Sequence, residues 1–162
     1  MIWILVAVAE FIIDQAAKAL INNNLMMHES RIIIPGFFNL TRVTNTGAAW
    51  SFLSDHTWIL TLASEMLILL LVILFRNNRD NMLRAGICIV IGGAAGNLFD
   101  RIVFGRVTDY LDFWIFGYDF PVFNAADVFV VCGTVFLAIY VLFARNLDYD
   151  VSKPAFNVRD EG

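Results

Sequence analysis

Two aspartates, Asp109 and Asp127, are the side chains in this sequence that best fit hydrolytic chemistry. Hydrolysis of a peptide bond needs a base to activate water and an acid to polarise the carbonyl group. Two neighbouring carboxyl groups can supply both functions, because like charges at close range cannot both ionise and the pair keeps one proton. The spacing of the two residues leaves other readings open. Asp109 could be a solvated loop acid, and Asp127 could be the N-cap of a helix.

A second polar cluster is formed by Asn97, Asp100 and Arg101, which share one face of a helix because they stand at i, i+3 and i+4. Glycines extend the same face and would let a neighbouring helix approach closely: Gly92, Gly93 and Gly96. We therefore expect this face to be buried against protein. The alternatives are a structural ion-pair network for the polar residues and simple helix packing for the glycines.

Composition argues against several other chemistries. The formal net charge of −4 argues against nucleic acid as a partner, because phosphate binding needs a clustered basic face. The two histidines, His28 and His56, have no neighbouring cysteines at zinc-ligand spacing, so neither a metal nor another cofactor is predicted. Cys88 and Cys132 lie in apolar runs and are predicted to be small hydrophobic residues of the core.

The elements that carry these residues are predicted to be membrane helices. The chain is 59% hydrophobic and only 16% charged, whereas a soluble domain carries about 25% charged residues. A membrane span needs about 20 mostly apolar residues. Four segments meet this requirement or nearly do so, at about 1–21, 57–75, 85–104 and 126–144. The prediction is a single integral all-α membrane domain of four transmembrane helices, with Met1 as part of a retained first helix.

Orientation follows from the basic residues between the second and third segments. Arg76, Arg79 and Arg84 form the densest basic cluster of the chain, which places this loop in the cytoplasm. Four spans then place both termini in the cytoplasm and the loops 22–56 and 105–125 outside.

The outer loop 22–56 is predicted to form a small β-rich cradle on the membrane surface. Residues 31–51 are rich in β-branched and aromatic side chains and are interrupted by Pro35, Gly36 and Gly47. Apolar side chains such as Phe37 and Phe38 would contact the interface. The polar residues of the predicted spans collect at this same outer boundary: Asp14, Lys18, Asn97, Asp100, Arg101, Asp109, Asp112, Asn124 and Asp127. Polar groups at membrane depth are costly and usually functional.

Four linked motifs resemble those of the lipoprotein signal peptidase (signal peptidase II) family, in the right order and on the right side of the membrane. They are the segments at 45–51 (NTGAAWS), 93–101 (GAAGNLFDR), 107–113 (VTDYLDF) and 123–127 (FNAAD). Asp14, Gln15 and Lys18 also resemble the family's first-helix motif. Thr108 and Val128 depart from the pattern, since a Val and a small residue are expected there.

The resemblance implies a function and a location. The family is bacterial, sits in the cytoplasmic (inner) membrane, and cleaves the signal peptide of a lipidated prolipoprotein just before the diacylglyceryl-modified cysteine. It implies an aspartic endopeptidase that contacts membrane lipid, has an active site on the extracytoplasmic side, and is sensitive to a cyclic-peptide inhibitor of the globomycin type.

The resemblance also implies roles for individual residues. By motif position Asp109 and Asp127 form the catalytic pair. The substrate site is lined by four residues: Asn45, Asn97, Arg101 and Asn124. Asp14, Lys18 and Asp100 support the site.

Two other functions remain open on the sequence. An ion or proton transporter would use Glu65, Asp14 and Asp127 as a relay across the membrane, and it predicts acids spread over its depth. A membrane scaffold without enzymatic activity would use the polar residues structurally.

Overall fold

The structure, a computed structural model, describes residues 2–47 and 57–144. Four α-helices and four β-strands follow one another in the order α1, β1, β2, α2, α3, β3, β4 and α4. The helices are α1 (Ile2–Asn24), α2 (Thr57–Asn77), α3 (Asn81–Phe104) and α4 (Ala125–Ile139), and α4 continues as a π-helical turn over Tyr140–Ala144. The strands are β1 (Ser30–Ile34), β2 (Phe38–Asn45), β3 (Val107–Ile115) and β4 (Tyr118–Asp119). The second half of the 45–51 motif lies outside the described residues.

Helix α3 is the central element of the bundle and packs against each of the other three helices. It begins where the Asp80 carboxylate accepts hydrogen bonds from the backbone N–H groups of Met82 and Leu83, and it ends at Gly105, whose φ of 68° suits glycine. The glycines of the predicted face pack against two different neighbouring helices. A side chain on Gly92 or Gly96 would collide with α1, and one on Gly93 would collide with the backbone of α4.

Three of the described helical segments are long and apolar enough to cross a membrane: Thr57–Asn77, Asn81–Phe104 and Ala125–Phe143. Helix α1 has 23 residues, but it carries Glu10, Asp14 and Lys18, all of them buried. The four predicted helices are present, with ends that differ by a few residues from the predicted ones. Helix α3 begins at Asn81 rather than at 85, because the Asp80 cap lies upstream of the apolar run.

The four strands form one antiparallel sheet in sequential order. Strand β2 pairs with β3 in a register that places Val43 opposite Asp109 and Asn45 opposite Val107. The prediction drew the β-rich cradle from loop 22–56 alone, but only β1 and β2 lie there, and β3 and β4 come from the connection between α3 and α4. Asp109 therefore lies in a strand rather than in a solvated loop.

Two further expectations are corrected by burial. Cys88 is buried as predicted, but Cys132 is exposed. Glu65 also lies exposed on α2, whereas Asp14 is fully buried. A proton relay through these two acids finds no support in this arrangement.

Candidate active site

Asp109 is held in a buried position by pairing on both sides of β3. On one side lies β2, and on the other the backbone N–H groups of Tyr110 and Leu111 donate to the carbonyl oxygen of Phe123. The Asp109 side chain is 3% exposed. Its Oδ2 accepts from Asn45 Nδ2 at 3.1 Å, and its Oδ1 accepts from Asn124 Nδ2 at 2.6 Å.

Asp127 lies in the first turn of α4 as part of a capping box. Asn124 is the N-cap: its side-chain oxygen accepts from the Asp127 N–H, and Asp127 Oδ2 accepts from the Asn124 N–H, each at 3.1 Å. Asp127 Oδ1 accepts from Asn97 Nδ2 at 2.8 Å. The alternative reading of Asp127 as the N-cap is therefore wrong by three residues. Its carboxylate closes the helix end and also faces the site.

Asn124 joins the two aspartates. It is fully buried and bonds to Asp109 through its side-chain amide and to Asp127 through its backbone N–H. The spacing in the sequence could not show whether the two aspartates meet. In the structure a single residue, Asn124, connects their two carboxyl groups.

Electrostatics in the site favour a retained proton. Burial, followed by the negative charge of Asp127, raises the pKa of Asp109 to about 7, against the lowering effect of the hydrogen bonds from Asn124 and Asn45. Burial also raises the pKa of Tyr110 to about 12, so its hydroxyl stays protonated. A carboxyl pair with one member protonated near neutral pH can act as acid and base together.

Arg101 brings a positive charge to the same site. Its guanidinium donates to the backbone carbonyl oxygens of Asn97 and Gly47, at 3.5 and 3.4 Å. Its Nε is buried and has no hydrogen-bond partner among the described residues.

A buried charged cluster lies behind the site. Lys18 forms ion pairs with Asp14 at 2.8 Å and with Asp100 at 2.7 Å. Asp14 Oδ1 in turn accepts from the Ala126 N–H at the start of α4, at 3.0 Å. These contacts connect α1, α3 and α4.

Gln15 is a member of this cluster to which the sequence assigned no role. Its Nε2 donates to Asp14 Oδ2, to Asp100 Oδ1 and to the carbonyl oxygen of Gly96, at 3.2, 3.0 and 3.3 Å. The available signal was its position beside Asp14 in the first-helix motif. Asp112, in contrast, lies away from the pair and accepts from Asn39 and Thr41 across the sheet.

The site opens into a cleft of about 600 Å³ between α2 and α4. Its polar end contains all six predicted catalytic and substrate-site residues: Asn45, Asn97, Arg101, Asp109, Asn124 and Asp127. Its apolar walls come from α2 and α4 and include Ser64, Leu67, Val128, Val131 and Cys132. Val128, the departure from the family pattern, fits here as part of a wall. The α2 residues were missed because an apolar helix shows no sequence signal for the face that borders a cleft.

Among the described residues there is no group of three or more His, Cys, Asp or Glu side chains that could hold a metal ion. The donor set of the site is two carboxylates with amide and guanidinium donors, which suits acid–base chemistry.

Comparison with known proteins identifies the class of the protein. The family profile for signal peptidase (SPase) II matches residues 6–143. The lipoprotein signal peptidase of Clostridioides difficile (strain 630) is 43% identical over 145 residues, with 88% of this chain and 96% of the relative covered. That of Staphylococcus haemolyticus (strain JCSC1435) is 37% identical over 145 residues, with 88% and 92% covered.

A solved structure agrees with the sequence relatives. A bacterial membrane enzyme determined by the in meso method at 2.3 Å resolution superposes with a TM-score of 0.83 at 32% identity, covering 94% of this chain and 93% of the other. The chain belongs to the signal peptidase II family, whose members are proteases that remove signal peptides from prolipoproteins. It is a multi-pass membrane protein.

Proposed function

We propose that the protein is an aspartic endopeptidase that removes the signal peptide of prolipoproteins, with Asp109 and Asp127 as the catalytic pair. The observation that carries this proposal is the bridge through Asn124, which bonds to both carboxyl groups in a buried site. Family membership supports the reaction, and the geometry of the pair supports the aspartic type.

The chemistry follows from a shared proton. The ionised carboxylate removes a proton from a water molecule, and the oxygen of that water attacks the scissile carbonyl carbon. The protonated carboxyl donates its proton to the carbonyl oxygen. Collapse of the tetrahedral intermediate breaks the C–N bond, and the leaving amine takes up a proton from the pair.

The substrate residues are proposed to satisfy the backbone of an unwound peptide. A signal peptide crosses the membrane as a helix with internal hydrogen bonds, so exposing one peptide bond frees polar groups that need partners. Asn45 and Arg101 line the cleft beside the pair, where their side-chain N–H groups can donate to a peptide carbonyl oxygen. Asn97 and Asn124 hold the aspartates in place and border the same cleft.

We further propose four spans, with α1 as the fourth, in the bacterial inner membrane. The charged residues of α1 face protein rather than lipid, because Glu10, Asp14 and Lys18 are buried against the bundle. The arginines around the α2–α3 connection place it and both termini in the cytoplasm. The sheet then rests on the outer surface, where exposed apolar tips such as Ile32, Phe37 and Phe116 contact the interface.

The lipid on the substrate is proposed to fix which bond is cut. Each buried CH₂ of an acyl chain contributes roughly 0.8 kcal/mol to membrane anchoring, so two acyl chains hold the modified cysteine at the interface beside the aspartates. Positioning of this kind accelerates a reaction without further contacts. A cyclic-peptide inhibitor of the globomycin type would occupy the same cleft.

Purified enzyme in lipid can be given matched precursors with and without the diacylglyceryl group. We expect cleavage before the modified cysteine, and far slower cleavage of the precursor without lipid. Equal rates at limiting substrate would reject the role of the lipid, and absence of cleavage of either precursor by an enzyme with a native unfolding temperature would reject the proposed activity.

Orientation is tested separately by cysteine labelling. In a background lacking Cys88 and Cys132, Asn77→Cys should resist an impermeant thiol reagent added to cells with a permeabilised outer envelope, whereas Met26→Cys should react, since Met26 is 78% exposed. The reverse pattern would contradict the proposed topology.

A further inference from the structure

Lys18 is a buried cation whose contacts reach beyond its ion pairs. Its Nζ bonds to Asp14 and Asp100, and it also donates to Asn97 Oδ1 at 2.9 Å. The side chain is about 4% exposed, so water does not compete for these contacts. An ammonium group donates hydrogen bonds and cannot accept them. The atom of Asn97 that faces Lys18 must therefore be the carbonyl oxygen.

The orientation of the Asn97 amide decides what Asp127 receives. With Oδ1 held by Lys18, the Nδ2 of Asn97 points at Asp127 Oδ1, at 2.8 Å. The opposite rotamer would place the amide N–H groups against the ammonium and the carbonyl oxygen against the carboxylate. Both contacts would be repulsive, and an unpaired buried polar group is costly. Lys18 therefore selects one of two amide orientations.

The side-chain amide of Asn124 is also held in one orientation, in this case by a backbone N–H group. The side-chain oxygen of Asn124 accepts from the Asp127 N–H, so its Nδ2 must face Asp109 and Asn97 Oδ1, at 2.6 and 3.2 Å. Asn97 Oδ1 thus accepts from both Lys18 and Asn124. The hydrogen-bond directions around the two aspartates are set by two fixed donors, the Lys18 ammonium and the N-terminus of α4.

We infer that Lys18 is a positioning residue for the catalytic pair: through Asn97 it directs an N–H donor at Asp127 and keeps Asp127 as the ionised member, the base. This inference rests on the proposed function. Asp127 receives the Asn97 amide at one oxygen and a backbone N–H at a helix N-terminus at the other, and both favour its carboxylate form. Asp109 also accepts from two side-chain amides, but burial and the neighbouring charge of Asp127 raise its pKa to about 7, so Asp109 holds the shared proton.

The test is the pH profile of kcat for Lys18→Met. Without the ammonium the Asn97 amide can rotate, Asp127 loses a donor, and its protonated form becomes easier to reach. We expect the acidic limb of the profile to move up by about one pH unit, since each unit corresponds to a tenfold change in equilibrium. We expect kcat to fall by about 10²-fold, as for a small misplacement of reacting groups, with KM little changed.

Folding is controlled by a second variant, because Lys18→Met leaves two aspartates without their cation. Asp14→Asn with Lys18→Met removes one negative and one positive charge together, and the side-chain oxygen of the introduced asparagine can still accept from the Ala126 N–H. The same upward shift is expected there. Lys18→Arg, which keeps a buried donor, should move the limb back toward its native position.

A double-mutant comparison separates positioning from simple stabilisation. If Lys18 acts through Asn97, then Lys18→Met adds no further shift of the acidic limb to that of Asn97→Leu. Additive shifts, or an unchanged profile with a lowered unfolding temperature, would overturn the inference. Failure of the proposed function has a different signature, namely undiminished turnover by Asp109→Asn or Asp127→Asn.

Discussion

Helices α2 and α3 are neighbours of similar length that differ in what surrounds them. The membrane-length window of α2 has a mean hydropathy of 2.5 and is 6% buried, whereas that of α3 has a mean hydropathy of 1.6 and is 50% buried. The less apolar helix is thus the inner one, because its polar and glycine residues are shielded from lipid by α1 and α4. The proposed catalytic residues lie on the packed side of the cleft, formed by α3, α4 and β3, and α2 contributes an apolar wall.

The largest expected effect comes from the packed side. Asp109→Asn and Asp127→Asn should each lower kcat by about 10²–10⁴-fold, because each removes either the acid or the base. Turnover of a lipidated precursor by the purified variant measures this. Leu70→Ala on α2, at a position 53% exposed, is the matched control and should retain activity. Near-normal turnover by either aspartate variant would contradict the proposal that catalysis depends on the packed side of the cleft.

A smaller effect is expected from enlarging one small residue on each helix. Gly93→Ala places a Cβ against the backbone oxygen of Ala126, so α4 must move away from α3 together with Asp127. Overpacking of this kind costs about 1–3 kcal/mol in the free energy of unfolding. On α2 the comparable change is Ala63→Val, because Ala63 is exposed and, unlike Ser64 and Leu67, does not border the cleft. This substitution should change the free energy of unfolding by no more than about 0.5 kcal/mol. Thermal unfolding in detergent compares the two, and equal destabilisation would contradict the packing difference.

The pH dependence of activity and of stability should also come from a residue on the packed side of the cleft. With the pKa of Asp109 raised to about 7, activity should fall about tenfold per unit as the pH rises above 7 and the shared proton is lost. The linked stability has the same sign. The folded pKa exceeds the unfolded value, so the contribution of Asp109 to stability is fully present below about pH 4 and is lost as the pH rises toward 7. Rates and unfolding temperatures measured from pH 5 to 9 test both. A flat profile in the wild type would contradict the retained proton.

The smallest effect is expected from a substitution in the apolar wall that α2 contributes to the cleft. Leu67→Val on α2 removes one methylene from the cleft surface and should raise KM by about fourfold or less, since one buried methylene contributes roughly 0.8 kcal/mol. The kcat should stay unchanged because no acid or base is touched. A large loss of kcat would show that α2 takes part in more than shaping the cleft.

Much of this arrangement is predictable from local patterns. The four helices follow from apolar length, and α3 and β3 bring polar residues that the sequence singled out close together. The N-cap at Asn124, the strand containing Asp109 and the role of Gln15 were not predicted. The strand containing Asp109 and the contacts of Gln15 depend on partners distant in the chain: β3 becomes a strand because β2 lies beside it, and Gln15 reaches Gly96 and Asp100. The N-cap is local, but Asp127 pairs back to Asn124 only when α4 starts there.

Exposure of Cys132 was missed for a related reason. In a membrane the outside of a bundle is as apolar as its inside, so hydropathy does not separate residues that face lipid from those that face protein. The glycines of α3 mark its packed faces, but α4 gives little such signal beyond Gly133, which approaches α3 at Val90.

The cleft between α2 and α4 has a consequence for how the rate depends on concentration. Its walls include residues exposed on the apolar outside of the bundle, such as Leu67 and Val131, so the proposed substrate can enter from the bilayer. A substrate anchored in the same bilayer reaches it by lateral diffusion in two dimensions. The meaningful KM is then a surface density, the number of precursors per area of membrane. Adding empty lipid at fixed total enzyme and substrate dilutes that density and slows the reaction, although no bulk concentration has changed.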